Sequence, residues 1–420
     1  MHKIKYLIIG AGVTGLTFAN YMNNDSYLIL EKENDPGGYC RTIYKDNYIW
    51  DYSGHFFHFK NDEIKKYFFE HIGKKNIISK NKNTKIFYKG KLVDYPFQSN
   101  IHELNKPEFI DCLYDFTKRE KSRYYNSFEE MLYGKYGKSI TEKFLKPYNE
   151  KQYACSLKEL DQNAMGRFFP NTDLQEIINN MREKKDNSYN KEFFYPKMGA
   201  NAFINSLLDN ISNNKIIYNE EMIKIDIKNK IVYTKTNSYR YVTLVNTGSF
   251  KNLVDRIDIK KYSENILSSN KVIVYNLGFD KKSRYNNIHW LYIPNKKYWF
   301  YRVGFYDNIL DSDKMSIYVE IGLRSDEKIN KESKLDEVIT ELREVGIIDD
   351  QKLISYSIIE MNPAYVHINR NSNIYVKKMK KKLRENDIYS IGRYGSWKYC
   401  SIEDSMLEAI DAANEVKNAR

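Results

Sequence analysis

The chain has 420 residues, 42% of them hydrophobic and 15% aromatic, enough apolar material for two or three packed domains and too much for an intrinsically disordered protein. Lys plus Arg number 67 against 55 Asp plus Glu, a formal charge of +12. That excess suits an anionic ligand without choosing among small anions, nucleic acid and a membrane surface.

The N-terminal run YLIIGAGVTGLTF is broken by glycines and does not read as a secretory signal. No apolar run reaches the roughly eighteen residues of a membrane span. Cys40, Cys112, Cys155 and Cys400 lie far apart, with no C-x-x-C and no neighbouring histidine, so neither zinc nor a disulfide framework is expected. A soluble, cytoplasmic chain is the expectation.

Lys3 to Ile9 and Tyr27 to Leu30 are short β-branched runs with a helical stretch between them. The turn leaving the first strand carries Gly10-x-Gly12-x-x-Gly15. After a strand and before a helix, this is a dinucleotide-binding fingerprint: Gly10 permits the sharp turn, Gly12 lets backbone approach a pyrophosphate, and Gly15 lets helix pack on strand. The helix N-terminus then offers free N–H groups to phosphate. Glu31, about twenty residues on, stands where a carboxylate grips an adenosine ribose.

From residue 61 to about 185 the pattern is mainly helical. The exception is Lys85 to Val93, where apolar pairs flank Lys89-Gly90 as in a hairpin. Phe193 to Pro196 leads into a glycine turn and a helix, and strands follow near 216–218, 231–233 and 244–245. Strands then dominate from 271 to about 306 (VIVYNLGF, HWLYIP, WFYRVGF) and continue at 315–323 and 354–360 around a helix. The chain closes with the strand IYSIG and a helix from Ser401. This order predicts an α/β protein: a Rossmann-like dinucleotide-binding domain built from 1–80, 195–250 and 385–420, a mainly helical capping part over 81–194, and an antiparallel substrate-binding sheet over 251–384.

Several segments together resemble one family. Gly37-Gly38 followed by Arg41 is similar to the FAD-binding folds of the amine-oxidase and sugar-mutase superfamily, and NEEMIKID, with Met222, looks like their adenine-holding strand. Trp50-Asp51-Tyr52-Ser53-Gly54-His55, Tyr95-Pro96-Phe97-Gln98, FLKPYNEK with Gly166-Arg167, Asn190 before Tyr195-Pro196, Trp290-Leu291-Tyr292, Phe300-Tyr301-Arg302, Asn362-Pro363-Ala364-Tyr365 and the closing GRYGSWKY from Gly392 and Arg393 to Tyr399 resemble the UDP-galactopyranose mutases, in spacing closer to the eukaryotic-type branch. Ser53 stands where that branch has the first of two glycines.

The resemblance implies FAD, active when reduced, held by Gly10, Gly12, Gly15, Glu31, Gly37, Gly38, Arg41, Met222, Gly392 and Arg393. It implies His55 against the flavin, with Arg167 and Arg302 on the substrate diphosphate. Tyr95, Gln98, Asn190, Trp290, Tyr292, Tyr365 and Tyr399 would contact the substrate. The implied reaction interconverts UDP-galactopyranose and UDP-galactofuranose, with reduced flavin N5 as nucleophile at C1, no net redox and no metal. An external reductant such as NAD(P)H and a homo-oligomer are compatible with it. The residue types suit that chemistry: guanidiniums clamp a diphosphate bidentately at any working pH, and tyrosines stack and hydrogen-bond with few rotamers to freeze. The alternative is an FAD-dependent oxidoreductase of the amine-oxidase or desaturase type, which shares the first sixty residues. Nucleic-acid binding is not expected, because no binding motif is present and the basic residues are not gathered in one segment.

Overall fold

The computed structural model describes residues 2–22, 26–183, 191–258 and 266–418. The first sheet has a parallel core in the order Ile216–Ile217, Tyr27–Leu30, His2–Ile9, Ser238–Asn246, Ile388–Ser390. Two short antiparallel strands, Lys224–Asp226 and Ile231–Tyr233, extend it beside the start of Ser238–Asn246. The central strands are near-continuous apolar runs because helices or other chain cover both faces. Helices Val13–Met22 and Ile402–Asn418 pack together on one of those faces. Met406, Ala409, Ala413 and Val416, at helical spacing, are all buried there, and the alanines let the two helices approach closely. This sheet has the Rossmann-like arrangement expected, with the glycine turn at the carboxyl end of its His2–Ile9 strand.

The second sheet runs Leu353–Met361, Asn270–Phe279, Ser316–Arg324, Arg302–Phe305, Trp290–Tyr292, Thr84–Tyr88, Lys91–Asp94. Its strand Asn270–Phe279 is buried at every position. Alternation explains this: Val272 and Val274 pack with the capping helices, while Ile273, Tyr275 and Leu277 pack with helix Lys331–Val345 on the other face. Each such aliphatic side chain contributes about 1.5–3 kcal/mol of burial.

Two features of this sheet differ from the sequence reading. The hairpin Thr84–Tyr88/Lys91–Asp94, turning at Lys89 (φ 48°) and Gly90 (φ 78°), belongs to it, so the sheet is not confined to 251–384. The hairpin also joins by a parallel pairing with Trp290–Tyr292, the exception in an otherwise antiparallel sheet. The turn signal reveals the local partner of a strand and is silent about its distant one. Helices Lys106–Lys118, Phe128–Ile140, Lys146–Tyr153 and Leu174–Arg182 form the cap. Three of them start on side-chain caps, with Asn105, Ser127 and Asp173 accepting from the amides of Glu108, Glu130 and Glu176. Among the described residues no helix is long and apolar enough to cross a membrane, and the four cysteines are unpaired.

Candidate active site

A cavity of about 470 Å³ runs from the glycine turn of the first sheet to the face of the second, a volume in the range of ligand pockets. At the turn, Gly10 has φ +99°, and a Cβ added to Gly15 would lie 2.0 Å from the Gly10 carbonyl oxygen. The helix therefore starts hard against the strand, with its N-terminus facing the cavity. The Ala11 amide donates to the Glu31 carboxylate at 2.7 Å and the Glu33 amide donates at 3.0 Å, which fixes this buried acid at the cavity wall. Gly12 bridges to Gly37, so the second glycine pair lies directly against the first. Arg41 Nε donates to the Gly38 carbonyl at 2.8 Å, and its guanidinium sits 4.6 Å from the Tyr52 ring. Met222 lines the same end, and its carbonyl accepts from Arg256.

Gly392 opens a short turn whose amide donates to Glu408 at 2.9 Å. Its neighbour Arg393 lines the cavity, donates to the Cys400 carbonyl at 2.9 Å, and stands 4.6 Å and 5.6 Å from the rings of Tyr399 and Tyr365. No carboxylate among the described residues pairs with it. A guanidinium compensated by ring faces, the Tyr394 hydroxyl and a carbonyl, without a carboxylate, attracts an anion. The helix N-terminus at the turn and this cation suit a pyrophosphate, and the buried Glu31 carboxylate suits a hydroxyl donor beside it.

At the other end Tyr292, Arg302 and Glu320 form one cross-strand row. Arg302 Nε and Nη2 donate to Glu320 at 2.6 and 2.8 Å, with side chains 19% and 1% exposed. One edge of the guanidinium is thus consumed by Glu320 and a further N–H by the Tyr292 hydroxyl, which leaves about two of its five N–H groups for a ligand. Ser53 Oγ donates to the same carboxylate. Between the two ends lies His55, with Nδ1 2.9 Å from the Ser53 carbonyl. A carbonyl can only accept, so Nδ1 carries the hydrogen. Burial holds the imidazolium down, to about 4, against the opposing Ser53 bond and with help from the Arg393 and Arg302 charges. His55 is therefore neutral at physiological pH, with Nε2 a bare acceptor. Tyr365 and Tyr399 stack at 5.9 Å and 17°, and both line the cavity.

The remaining expected substrate residues lie behind or beside this wall. Arg167 stands on the turn Gly166–Phe168, 37% exposed, with Nη2 donating to Asp404 at 2.6 Å. It does not line the cavity, although Phe168 packs edge-on to Tyr399 at 5.2 Å. Trp290 gives its ring N–H to the Tyr318 hydroxyl at 2.7 Å and packs against Phe56. Tyr292 stacks on Tyr148 at 4.9 Å, and Tyr95 meets Tyr292 edge-on. Gln98 is fully buried and donates to the Pro170 carbonyl at 2.7 Å. In a chain with 37 tyrosines, aromatic packing takes up much of what the motifs present. Asn190 lies outside the described residues. Tyr301, Tyr394 and Asn362 line the cavity although the sequence names them only within motifs, without a role, and Glu320 escaped the sequence reading altogether. Its signal was present as the one acid inside the apolar strand SIYVEIGLR, where burial demands a partner.

With this geometry in place, the likenesses to known proteins can be weighed. The NAD(P)-binding Rossmann-like domain family matches residues 8–71. The probable UDP-galactopyranose mutase of Klebsiella pneumoniae is 23% identical over 255 residues, 58% of this chain and 60% of that protein; the chain thus spans less than two thirds of that curated relative. The solved structure of a reduced UDP-galactopyranose mutase superposes with a TM-score of 0.92 at 22% identity, covering 99% of this chain and 96% of the other.

The chain has the fold of a UDP-galactopyranose mutase. A putative protoporphyrinogen oxidase from Exiguobacterium shares it less closely, with a TM-score of 0.79 at 14% identity over 99% of both chains. On this fold, Arg302 and Glu320 of the cross-strand row supply the side of the cavity opposite the glycine turn, with Tyr292 behind them.

Proposed function

We propose that this protein is a flavin-dependent isomerase that interconverts the pyranose and furanose forms of a nucleotide-sugar, with UDP-galactopyranose the best candidate. The observation that carries the reading is the far end of the cavity. Arg302, anchored by Glu320 and Tyr292 with N–H groups still to give, and the stacked Tyr365 and Tyr399 make it cationic and aromatic. An amine would find the Glu320 carboxylate already taken by Arg302, whereas a sugar diphosphate finds charge-assisted donors.

FAD would be held by the amides of the Gly10–Gly15 turn, by Glu31 and by Gly37, Gly38, Arg41, Met222 and Arg393. When bound and reduced, it supplies the electron pair that displaces UDP from the anomeric carbon. This chain's residues do the rest. Arg302 orients the diphosphate and stabilises its charge as it departs. His55 Nε2 accepts a hydrogen bond on the cofactor side, and Tyr365 and Tyr399 exclude water and stack on the ligand. No side-chain nucleophile is required.

The test is to incubate dithionite-reduced protein with a panel of nucleotide-hexoses and resolve the products by chromatography. The reading expects a yellow protein, inert when oxidised, that yields a new isomeric peak from UDP-galactopyranose after reduction. A colourless protein unable to take up FAD, or a yellow one bleached by an amine or acyl substrate with no isomer formed, overturns it.

A further inference from the structure

The strand Ser316–Arg324 turns Ser316, Tyr318 and Glu320 to one face, and the segment ending in His55 lies along that face. Trp50 Nε1 donates to Ser316 Oγ at 2.9 Å. A Cβ added to Gly54 would come within 2.2 Å of the Tyr318 hydroxyl. Ser53 Oγ donates to Glu320 Oε1, the oxygen that also accepts Arg302 Nη2 at 2.8 Å. The Ser53 carbonyl in turn takes the His55 Nδ1 hydrogen at 2.9 Å. A continuous path of hydrogen bonds thus joins Arg302, Glu320, Ser53 and His55, all of which line the cavity.

We propose that Ser53 and Glu320 are positioning residues that couple anion binding at Arg302 to cofactor binding at His55. An anion on the N–H groups that Arg302 does not give to Glu320 or Tyr292 polarises the guanidinium and its carboxylate. With the Ser53 hydroxyl on the same oxygen, that change reaches the backbone that sets the His55 ring. Buried hydrogen-bond networks reinforce one another in this way, and coupling between two ligands is reciprocal. The proposal rests on the flavin and nucleotide-sugar reading for its two probes, FAD and UDP.

The experiment measures the dissociation constant of FAD from the full-length protein, by flavin fluorescence, with and without saturating UDP. In the natural sequence UDP tightens FAD at least about fivefold. In Ser53→Ala and Glu320→Gln the ratio falls to within about twofold of one, and Ser53→Thr, which keeps the hydroxyl, restores it. A merely structural role predicts something else: FAD binding weakened equally with and without UDP, leaving the ratio unchanged. Should the Ala variant fail to fold, Ser53→Gly compared with Ser53→Thr reads the same quantity. The coupling is refuted if Ser53→Ala keeps the full ratio, or if the natural protein binds both ligands without mutual effect. A protein that binds neither ligand refutes the functional reading itself, and the coupling with it.

Discussion

Arg302 leaves the interior of a seven-stranded sheet, 19% exposed and doubly bonded to a carboxylate that is itself 1% exposed. Arg167 stands on a three-residue turn of the cap, 37% exposed, with Nη2 donating to Asp404. The sequence offers them as a pair for one diphosphate, and the fold treats them differently. Arg302 is oriented before any ligand arrives, its neighbours being strands registered on both sides. Arg167 is held by an exposed ion pair of the kind worth about 0.2–1 kcal/mol. Asp404, fixed by the amide and hydroxyl of Ser401 at 2.9 Å each, is a standing competitor for any phosphate. Two guanidiniums of equal charge thus differ in preorganisation, and preorganisation rather than charge decides how well each can hold an anion.

The sharpest way to break this contrast is Arg302→Ala. It leaves Glu320 buried without its cation, so unfolding by denaturant should show a loss of about 3–5 kcal/mol, and turnover of the reduced enzyme should fall about 10²–10³-fold. Near-normal turnover would remove Arg302 from the chemistry.

A second measurement probes the same end by pH. Asp307, in the short helix that follows the Arg302 strand, is 1% exposed with neither carboxylate oxygen well hydrogen-bonded. Burial raises its carboxyl to about 7, against the weaker pull of nearby backbone amides and Lys282. The folded protein therefore binds a proton there that the unfolded chain releases near 3.8. Its stabilising share is complete below that pH and declines as pH climbs toward 7. Asp307→Asn should be more stable than the natural protein by about 1–3 kcal/mol at pH 8, with the advantage vanishing near pH 4. An advantage that does not change with pH would show that the carboxyl is ionised throughout.

The smallest effect is expected at the cap. Arg167→Ala should shift stability by no more than about 0.5 kcal/mol and raise KM for the sugar nucleotide more than it lowers kcat. Unchanged KM and kcat would leave Arg302 as the cation on the substrate diphosphate.

The cofactor end was legible because its information is local. A glycine turn between strand and helix, a carboxylate twenty residues on and a second glycine pair each dictate a backbone shape within a few residues, and the structure brings them to one cavity. His55 is reached by the same kind of reading. The opposite end depends on cross-strand register, since Arg302 meets Glu320 only because their strands pair in one alignment. Motif matching could name Trp290, Tyr95 and Gln98 without revealing that Tyr318, Tyr292 and Pro170 occupy them. The parallel pairing of the Thr84–Tyr88 strand was hidden for the same reason: a turn residue speaks for its own hairpin and nothing farther.

The face that Ser316, Tyr318 and Glu320 share has a consequence for how this chain can vary. Side chains on a strand alternate, so inserting or deleting a single residue between Ser316 and Glu320 would carry at least one of them to the helix-covered side. Trp50, Gly54 or Ser53 would lose its counterpart, and the guanidinium at 302 would face an aliphatic chain instead of an acid. Length changes should be tolerated beyond Arg324, where the strand ends in an exposed turn, while the stretch from Ser316 to Glu320 can change its letters but not its count.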